Sequence, residues 1–402
     1  MKKLVFLSMI LSIALAFTGC SDDSDEGTIS VTPTGQSTTY ILGEKAVAGI
    51  SGTATFVEND DNSTTVTLSL NNTPEGGSHP AHIHFNTAVE SGGIAISLAP
   101  VDGSTGTSSI TFAALNDGTP ITYSELLDFD GYINVHLSAD ELGTTVAQGD
   151  IGQNELTGTS KSYALGEMAV AGISGTAIFS ERANGEALAV IALDNTPDGG
   201  SHPAHIHFNT AVEGGGIAFS FNPIDGTTGM SITNVAALDD DTAFGYDDFL
   251  GFDGYINVHL SADELGTIVA QGDIGQNELT SNALTYALNE KAVAGISGTV
   301  TFTERVNGEA LAVITLSGTP EGGSHPAHIH VNSAAEGGSI AFTFTPIDGT
   351  TGMSKTNVAT LNDNSAFGFT DISTFNGYIN VHLSTDDLAT IVAQGDIGSN
   401  VN

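Results

Sequence analysis

Hydrophobic and polar residues alternate along much of this chain, with a period of two over short segments. Ala187–Leu193 follows the pair Asn184–Gly185, which is a strong short-range signal for a β-hairpin. A single helical turn is predicted at Thr122–Phe129, where Thr122 and Glu125 have the spacing of a capping box. Strands of this length separated by glycine-rich turns favour antiparallel sheets over helical bundles.

The alternating pattern occurs three times. Two segments, GGSHPAHIH and GYINVHLS, each recur every 123 residues, which is a domain length that allows each copy its own core. They begin at Gly76, Gly199 and Gly322, and at Gly131, Gly254 and Gly377. With roughly seven or eight strands per copy, the predicted fold class is all-β: three tandem antiparallel Greek-key β-sandwich domains. We expect them at residues 40–158, 163–281 and 286–402, joined by short polar segments that leave them limited freedom.

The first residues have the pattern of an export signal. Lys2 and Lys3 precede an apolar segment that ends at Phe17, and this segment is too short and wrongly flanked for a transmembrane helix. Cys20 is the only cysteine of the chain, and it stands where a lipoprotein signal peptidase would leave it as the lipidated N-terminus. We therefore expect a signal peptide at residues 1–19 and a membrane anchor at Cys20. The alternative is an ordinary signal peptide followed by an incidental cysteine.

Residues 20–39 contain an acidic run and a Thr/Ser/Gly/Pro stretch, with too few apolar residues to offset the entropy of ordering them. This composition predicts a flexible tether. An acidic run directly after a lipidated cysteine resembles the surface-export signal of certain Gram-negative lipoproteins. The resemblance implies an outer-membrane lipoprotein that faces the cell exterior.

Charge limits the classes of partner. The chain has 47 acidic and 8 basic residues, and its formal net charge is −39. Nucleic acids and anionic membranes bind proteins through Lys and Arg, so neither is expected as a direct partner. We expect a soluble surface monomer with a protein or glycan partner that the sequence does not identify.

All twelve histidines lie in the repeated segments, four in each copy. On a strand His82 and His84 present their rings on one face while Ile83 points the other way, and His136 on a later strand can supply a third ring. Imidazoles without thiolates suit copper or zinc. We predict one metal ion per module, copper rather than zinc. The predicted ligands are His82, His84 and His136; His205, His207 and His259; and His328, His330 and His382.

Other polar residues of the motifs are assigned supporting roles. The fourth histidine of each copy precedes a proline and is expected to order the turn beside the metal rather than to bind it. These residues are His79, His202 and His325. The aspartates Asp150, Asp273 and Asp396 are interpreted as partners near the site or as turn residues. The alternative for all twelve histidines is a purely structural role that duplication has copied threefold.

The motifs AHIH, DGYINVH and GDIG together resemble the chordin-type (CHRD) domain over nearly all of the mature chain. More remotely they resemble Cu/Zn superoxide dismutase, whose G-x-H-x-x-H-x-H strand corresponds to Gly77–His84 and whose later histidine segment corresponds to Val135–Gly143. This resemblance implies that His82, His84 and His136 are copper ligands and that His79 is structural.

The chain departs from the dismutase pattern in several ways. No histidine lies between His84 and His136, so the bridging ligand and the zinc loop are absent, as is the disulfide. The first module has no arginine, and Arg182 and Arg305 lie in early hairpins far in sequence from the motifs. We therefore expect a copper-binding or interaction module that is not an enzyme. The alternatives are a copper-only dismutase-like enzyme and an adhesion or matrix spacer with structural histidines.

Overall fold

The computed structural model of the protein describes residues 31–401. The predicted signal peptide, Cys20 and the first part of the predicted tether lie outside the described residues. The last part of the predicted tether instead belongs to the strand Pro33–Glu44, whose residues Tyr40 and Leu42 are buried in a core. Among residues 31–401, no helix is long and apolar enough to span a bilayer.

Three similar sheets follow one another along the chain, each with ten antiparallel strands and one short helix. The first contains β1 (Pro33–Glu44), β2 (Ser51–Asn59), β3 (Thr64–Asn71), β4 (Ser78–His79), β5 (Ala81–Phe85), β6 (Ile94–Ser97), β7 (Val101–Asp102), β8 (Thr107–Phe112), α1 (Tyr123–Leu127), β9 (Asp130–His136) and β10 (Thr145–Gly152).

The second sheet contains β11 (Leu156–Glu167), β12 (Ser174–Arg182), β13 (Ala187–Asp194), β14 (Ser201–His202), β15 (Ala204–Phe208), β16 (Ile217–Ser220), β17 (Ile224–Asp225), β18 (Met230–Val235), α2 (Tyr246–Gly251), β19 (Asp253–His259) and β20 (Ile268–Gly275). The third contains β21 (Leu279–Glu290), β22 (Ser297–Arg305), β23 (Ala310–Ser317), β24 (Ser324–His325), β25 (Ala327–Val331), β26 (Ile340–Thr343), β27 (Ile347–Asp348), β28 (Met353–Val358), α3 (Phe369–Thr374), β29 (Asn376–His382) and β30 (Ile391–Gly398).

The first sheet has the strand order β4-β7-β8-β3-β2-β1-β10-β9-β5-β6, and the other two repeat this order. Strand β1 pairs with β2 along most of its length and with β10 through Gly43 and Glu44 at its end. The sheet therefore curls at β1 into two layers, as predicted for a sandwich with crossing connections. It has more strands than predicted, because two-residue strands such as β4 and β7 are too short to show alternation.

Each sheet closes around its own hydrophobic core. In the first, Phe56 and Leu68 from one layer meet Ile83 and Ile133 from the other, and all four are at most 1% exposed. Burying an aliphatic or aromatic side chain of this size contributes about 1.5–3 kcal/mol. The core side of β5 and β9 is thus filled by isoleucines, and this fixes which residues of these strands face outward.

Local predictions from the sequence are confirmed. Thr122 is the N-cap of α1 and forms a complete capping box with Glu125. The Asn184–Gly185 pair lies in the turn between β12 and β13, where Gly185 has a φ of 85° that disfavours residues with a side chain. These contacts are local in sequence, which is why a short pattern is enough to predict them.

The junctions between sheets are short. Only residues 153–155 separate β10 from β11, and residues 276–278 separate β20 from β21. Strand β11 spans the whole interval between the predicted end of the first module at 158 and the predicted start of the second at 163. Neighbouring repeats are therefore joined by tight turns rather than by linkers.

Candidate metal centres

Strands β5 and β9 position the histidines of the first repeat. Ile83 is fully buried in the core, so His82 and His84, on either side of it, lie on the outer face of the sheet. Strand β9 pairs antiparallel with β5, placing Asn134 opposite His82. His136 is the last residue of β9, next to an irregularity in its pairing with β10. The predicted alternation is confirmed, and it brings residues more than fifty positions apart to one face.

In each repeat three imidazoles converge. Each can offer one ring nitrogen, and the three nitrogens of a group lie within 4.8 Å of one another. The groups are His82, His84 and His136; His205, His207 and His259; and His328, His330 and His382. All nine are buried or half-buried on this outer face. These triads could each hold a metal ion, and they combine the same histidines that the sequence pattern selected.

Hydrogen bonds show which nitrogen faces the centre. In the second repeat, His207 Nδ1 lies 3.0 Å from the Gly215 carbonyl and His259 Nδ1 lies 2.6 Å from the Leu265 carbonyl. Carbonyls only accept, so both Nδ1 atoms donate and both Nε2 atoms keep their lone pairs. His205 Nδ1 lies 3.0 Å from His259 Nε2. The donor set available to a metal ion is therefore one Nδ1 and two Nε2 atoms, and binding would require loss of the proton shared between His205 and His259.

The surroundings favour the neutral form of two histidines in each triad. Burial lowers the pKa of His82, and the neighbouring rings of His136 and His84 lower it further because two positive charges would repel. Burial is also the main cause that lowers the pKa of His136. In the third repeat the same effects, burial first, lower the pKa of His328 to about 4. At neutral pH these nitrogens are free to bind a cation.

The fourth histidine lies beside the triad. His79 is 1% exposed, and its Nδ1 lies 3.3 Å from the carbonyl oxygen of His136. Its Nε2 has no hydrogen-bond partner among the described residues and packs against Gly77, where a Cβ would lie 2.7 Å away. His202 and His325 repeat the contact with His259 and His382. The ring thus touches the backbone of a triad residue, and it is not a member of the triad.

Sequence reasoning missed two features of the centre. The ring of Tyr132 stacks on His84 with centroids 4.9 Å apart, and its hydroxyl accepts the Gly92 amide proton. Arg182, which the sequence placed far from the motifs, donates to Asp150 at 2.8 Å. Both could have been noticed in the repeats, because the tyrosine recurs in every GYINVH segment and the arginine recurs at Arg305.

Comparison of the chain with protein-family models, curated proteins and solved structures returned no match. Three imidazoles on neighbouring strands, with no thiolate and no carboxylate in the group, can bind a borderline divalent ion and leave a coordination position open.

Proposed function

We propose that each repeat binds one metal ion through its three histidines, and that this ion is copper. The observation that carries the proposal is the convergence of three inward-facing imidazole nitrogens within 4.8 Å in every repeat. In the second and third repeats, hydrogen bonds to backbone carbonyls orient two of the three rings. Proteins commonly orient metal-binding histidines in this way.

The donor set favours copper over zinc. Nitrogen ligands bind divalent copper more tightly than zinc in the general order of metal affinities, and imidazole is suited to both copper oxidation states. Zinc is the second choice, since three histidines with an open position also fit a zinc site. Calcium and magnesium are disfavoured because they require oxygen ligands.

The proposal also covers the family and the location of the protein. The repeated β-sandwich with its histidine triads fits the chordin-type family. The basic and apolar N-terminal segment that ends at a lone cysteine supports a lipid anchor at Cys20, and the acidic run after it supports display on the outer membrane. The protein would then present three metal ions outside the cell, on a chain anchored by lipid.

Binding rather than catalysis is favoured by the charges. Rapid reaction with an anion such as superoxide requires a cation that attracts it to the metal. Arg182 and Arg305 are fully buried in ion pairs with Asp150 and Asp273, and the net charge of −39 repels anions. Two other functions remain as alternatives to metal binding without catalysis: a copper-only dismutase-like enzyme, and an adhesion or matrix spacer whose histidines are structural.

Metal stoichiometry tests the proposal. Mature protein is loaded with Cu²⁺, dialysed at neutral pH and subjected to elemental analysis, and we expect up to three ions per chain. His84→Ala, His207→Ala and His330→Ala should each remove one ion and leave the other two repeats as internal controls. Retention of neither copper nor zinc by the wild-type chain would reject metal binding, and retention that is unchanged in all three variants would reject the triads as its site.

A further inference from the structure

A buried arginine joins the second repeat to the first, and another joins the third to the second. Arg182, at the end of β12, is 0% exposed, and its Nε donates to Asn234 of its own repeat at 2.7 Å. Its Nη1 donates to the Asp150 carboxylate at 2.8 Å and to the Asn154 backbone carbonyl, and both acceptors precede β11. Separating this ion pair would leave a buried charge without a partner, which is strongly unfavourable. The Arg182–Asp150 contact is therefore expected to persist in the folded protein.

The two acceptors of Arg182 also hold a loop of the first repeat. This segment, residues 86–92 between β5 and β6, is termed the ligand loop. The other carboxylate oxygen of Asp150 accepts the amide proton of Ala88 at 2.8 Å. The side chain of Asn154 donates to the carbonyl of Asn86 at 3.2 Å. Arg182 therefore fixes the two residues that anchor the beginning of the ligand loop.

The end of the ligand loop touches the metal centre. The carbonyl of Gly92 accepts the Nδ1 proton of His84 at 3.0 Å, which turns Nε2 toward the other two histidines. The amide of Gly92 donates to the hydroxyl of Tyr132, and the ring of Tyr132 stacks on His84. The loop is also braced internally, because the side chain of Asn86 donates to the Ser91 carbonyl at 3.0 Å. A shift at one end of the loop is thus passed to the ring of His84.

We propose that Arg182 is a positioning residue for the metal centre of the preceding repeat: through Asp150 and the ligand loop it orients His84. Arg305 has the same role for His207. This inference rests on the proposed metal binding, and it adds that the affinity of a centre depends on the docking of the next repeat. By linkage, metal in one centre strengthens the junction by the factor by which the junction strengthens metal binding.

The second junction reproduces the contacts that connect the arginine, the aspartate, the loop and the histidine. Arg305 donates to Asp273 at 2.7 Å and to the Asn277 carbonyl, and Asp273 accepts the amide proton of Ala211 at 2.7 Å. The Nδ1 of His207 again lies 3.0 Å from the carbonyl that corresponds to Gly92. The same four groups are therefore linked at both junctions.

The third repeat supplies a comparison within the molecule. Asp396 accepts the Ala334 amide proton at 2.7 Å, and Asn400 donates to the Asn332 carbonyl, as in the other repeats. Among residues 31–401, however, no arginine forms an ion pair with Asp396. The third centre thus has the ligand loop without the arginine, and its affinity should not respond to either junction.

The test measures each centre separately in the full-length mature chain. Paired alanine substitutions in two triads leave one centre intact, giving three chains that each bind Cu²⁺ at a single known repeat. Arg182→Met, Arg305→Met, Arg182→Lys and the control Lys161→Met are introduced into each chain. Lys161 pairs with Glu278, lies over the ring of Tyr163 and forms no hydrogen bond with a ligand loop, so the control removes a positive charge and an ion pair outside the Arg182 network. Copper affinity is measured by competition with a chelator, and the copper geometry by electron paramagnetic resonance.

We expect Arg182→Met to weaken the first centre about 5- to 10-fold and to change its resonance spectrum, somewhat less than the 10- to 100-fold typical when a direct partner of a ligand is removed. The second and third centres should not change, while Arg305→Met should weaken only the second. Arg182→Lys keeps the charge but cannot reach both acceptors, so it should also weaken the first.

An unchanged first centre in a folded Arg182→Met chain, or an equal loss at all three centres, would overturn the positioning role while leaving metal binding intact. Absence of copper from the chains with unaltered arginines would instead overturn the proposed function itself.

Discussion

Acidification should destabilise the metal-free third repeat, and His328 should contribute a separately measurable part of this loss. The pKa of His328 is lowered from 6.5 to about 4, first by burial and then by the rings of His382 and His330. The unfolded chain therefore binds this proton more readily than the folded one. The contribution of neutral His328 to the free energy of unfolding is fully present above pH 6.5, and it is lost as the pH falls toward 4. A shift of this size corresponds to about 3 kcal/mol, at about 1.4 kcal/mol per pKa unit.

The assay compares wild-type protein with His328→Gln, whose side chain stays neutral at every pH. Urea unfolding at pH 7, 5.5 and 4 is followed by hydrogen exchange and mass spectrometry on peptides from the third repeat, so that the other repeats do not contribute. Carboxylates titrate equally in both proteins and cancel in the difference. The wild type should lose about 3 kcal/mol more than the variant between pH 7 and pH 4. A difference in stability that does not change with pH would refute the argument that burial keeps this imidazole neutral.

Three further predictions concern the anchor, reactivity and the fold. Cys20→Ala should release a soluble protein of altered mobility, and a variant that stays in the membrane fraction would exclude lipidation at this residue. Pulse radiolysis should find little superoxide dismutation by the copper-loaded chain, and a fast copper-dependent rate abolished by His84→Ala with its counterparts in the other repeats would overturn the non-enzymatic interpretation. Thr122→Ala should cost the first repeat about 1 kcal/mol by removing the N-cap of α1, measured by urea unfolding of that repeat; an unchanged stability would show that the cap contributes nothing.

The fold class and the triads could be predicted because each depends on a regular pattern. Period-two alternation assigns Ile83 to the core and its neighbours His82 and His84 to the opposite face, and the structure has this arrangement. The recurrence of both motifs every 123 residues indicated three equivalent units, which the three sheets confirm. His136 was the only remaining candidate for the third ring in its repeat. It could therefore be assigned without knowing that β9 lies next to β5.

Contacts between repeats could not be predicted from such patterns. Arg182 and Asp150 are distant in sequence and lie in different repeats, and their pairing depends on how β10 turns into β11. The beginning of β1 was assigned to the tether because its residues are polar, although its backbone pairs with β2. Polar composition is a poor guide where backbone hydrogen bonds and two buried residues, Tyr40 and Leu42, hold a strand in place.

Metal binding by the triads is tested most directly by a crystal structure of the copper-loaded protein with anomalous scattering recorded at the copper edge. We expect three peaks, one in each triad. In the first repeat the peak should lie about 2.0–2.1 Å, typical of metal–imidazole bonds, from Nδ1 of His82 and from Nε2 of His84 and of His136. Peaks elsewhere on the acidic surface, with the three triads free of copper, would contradict metal binding at these histidines.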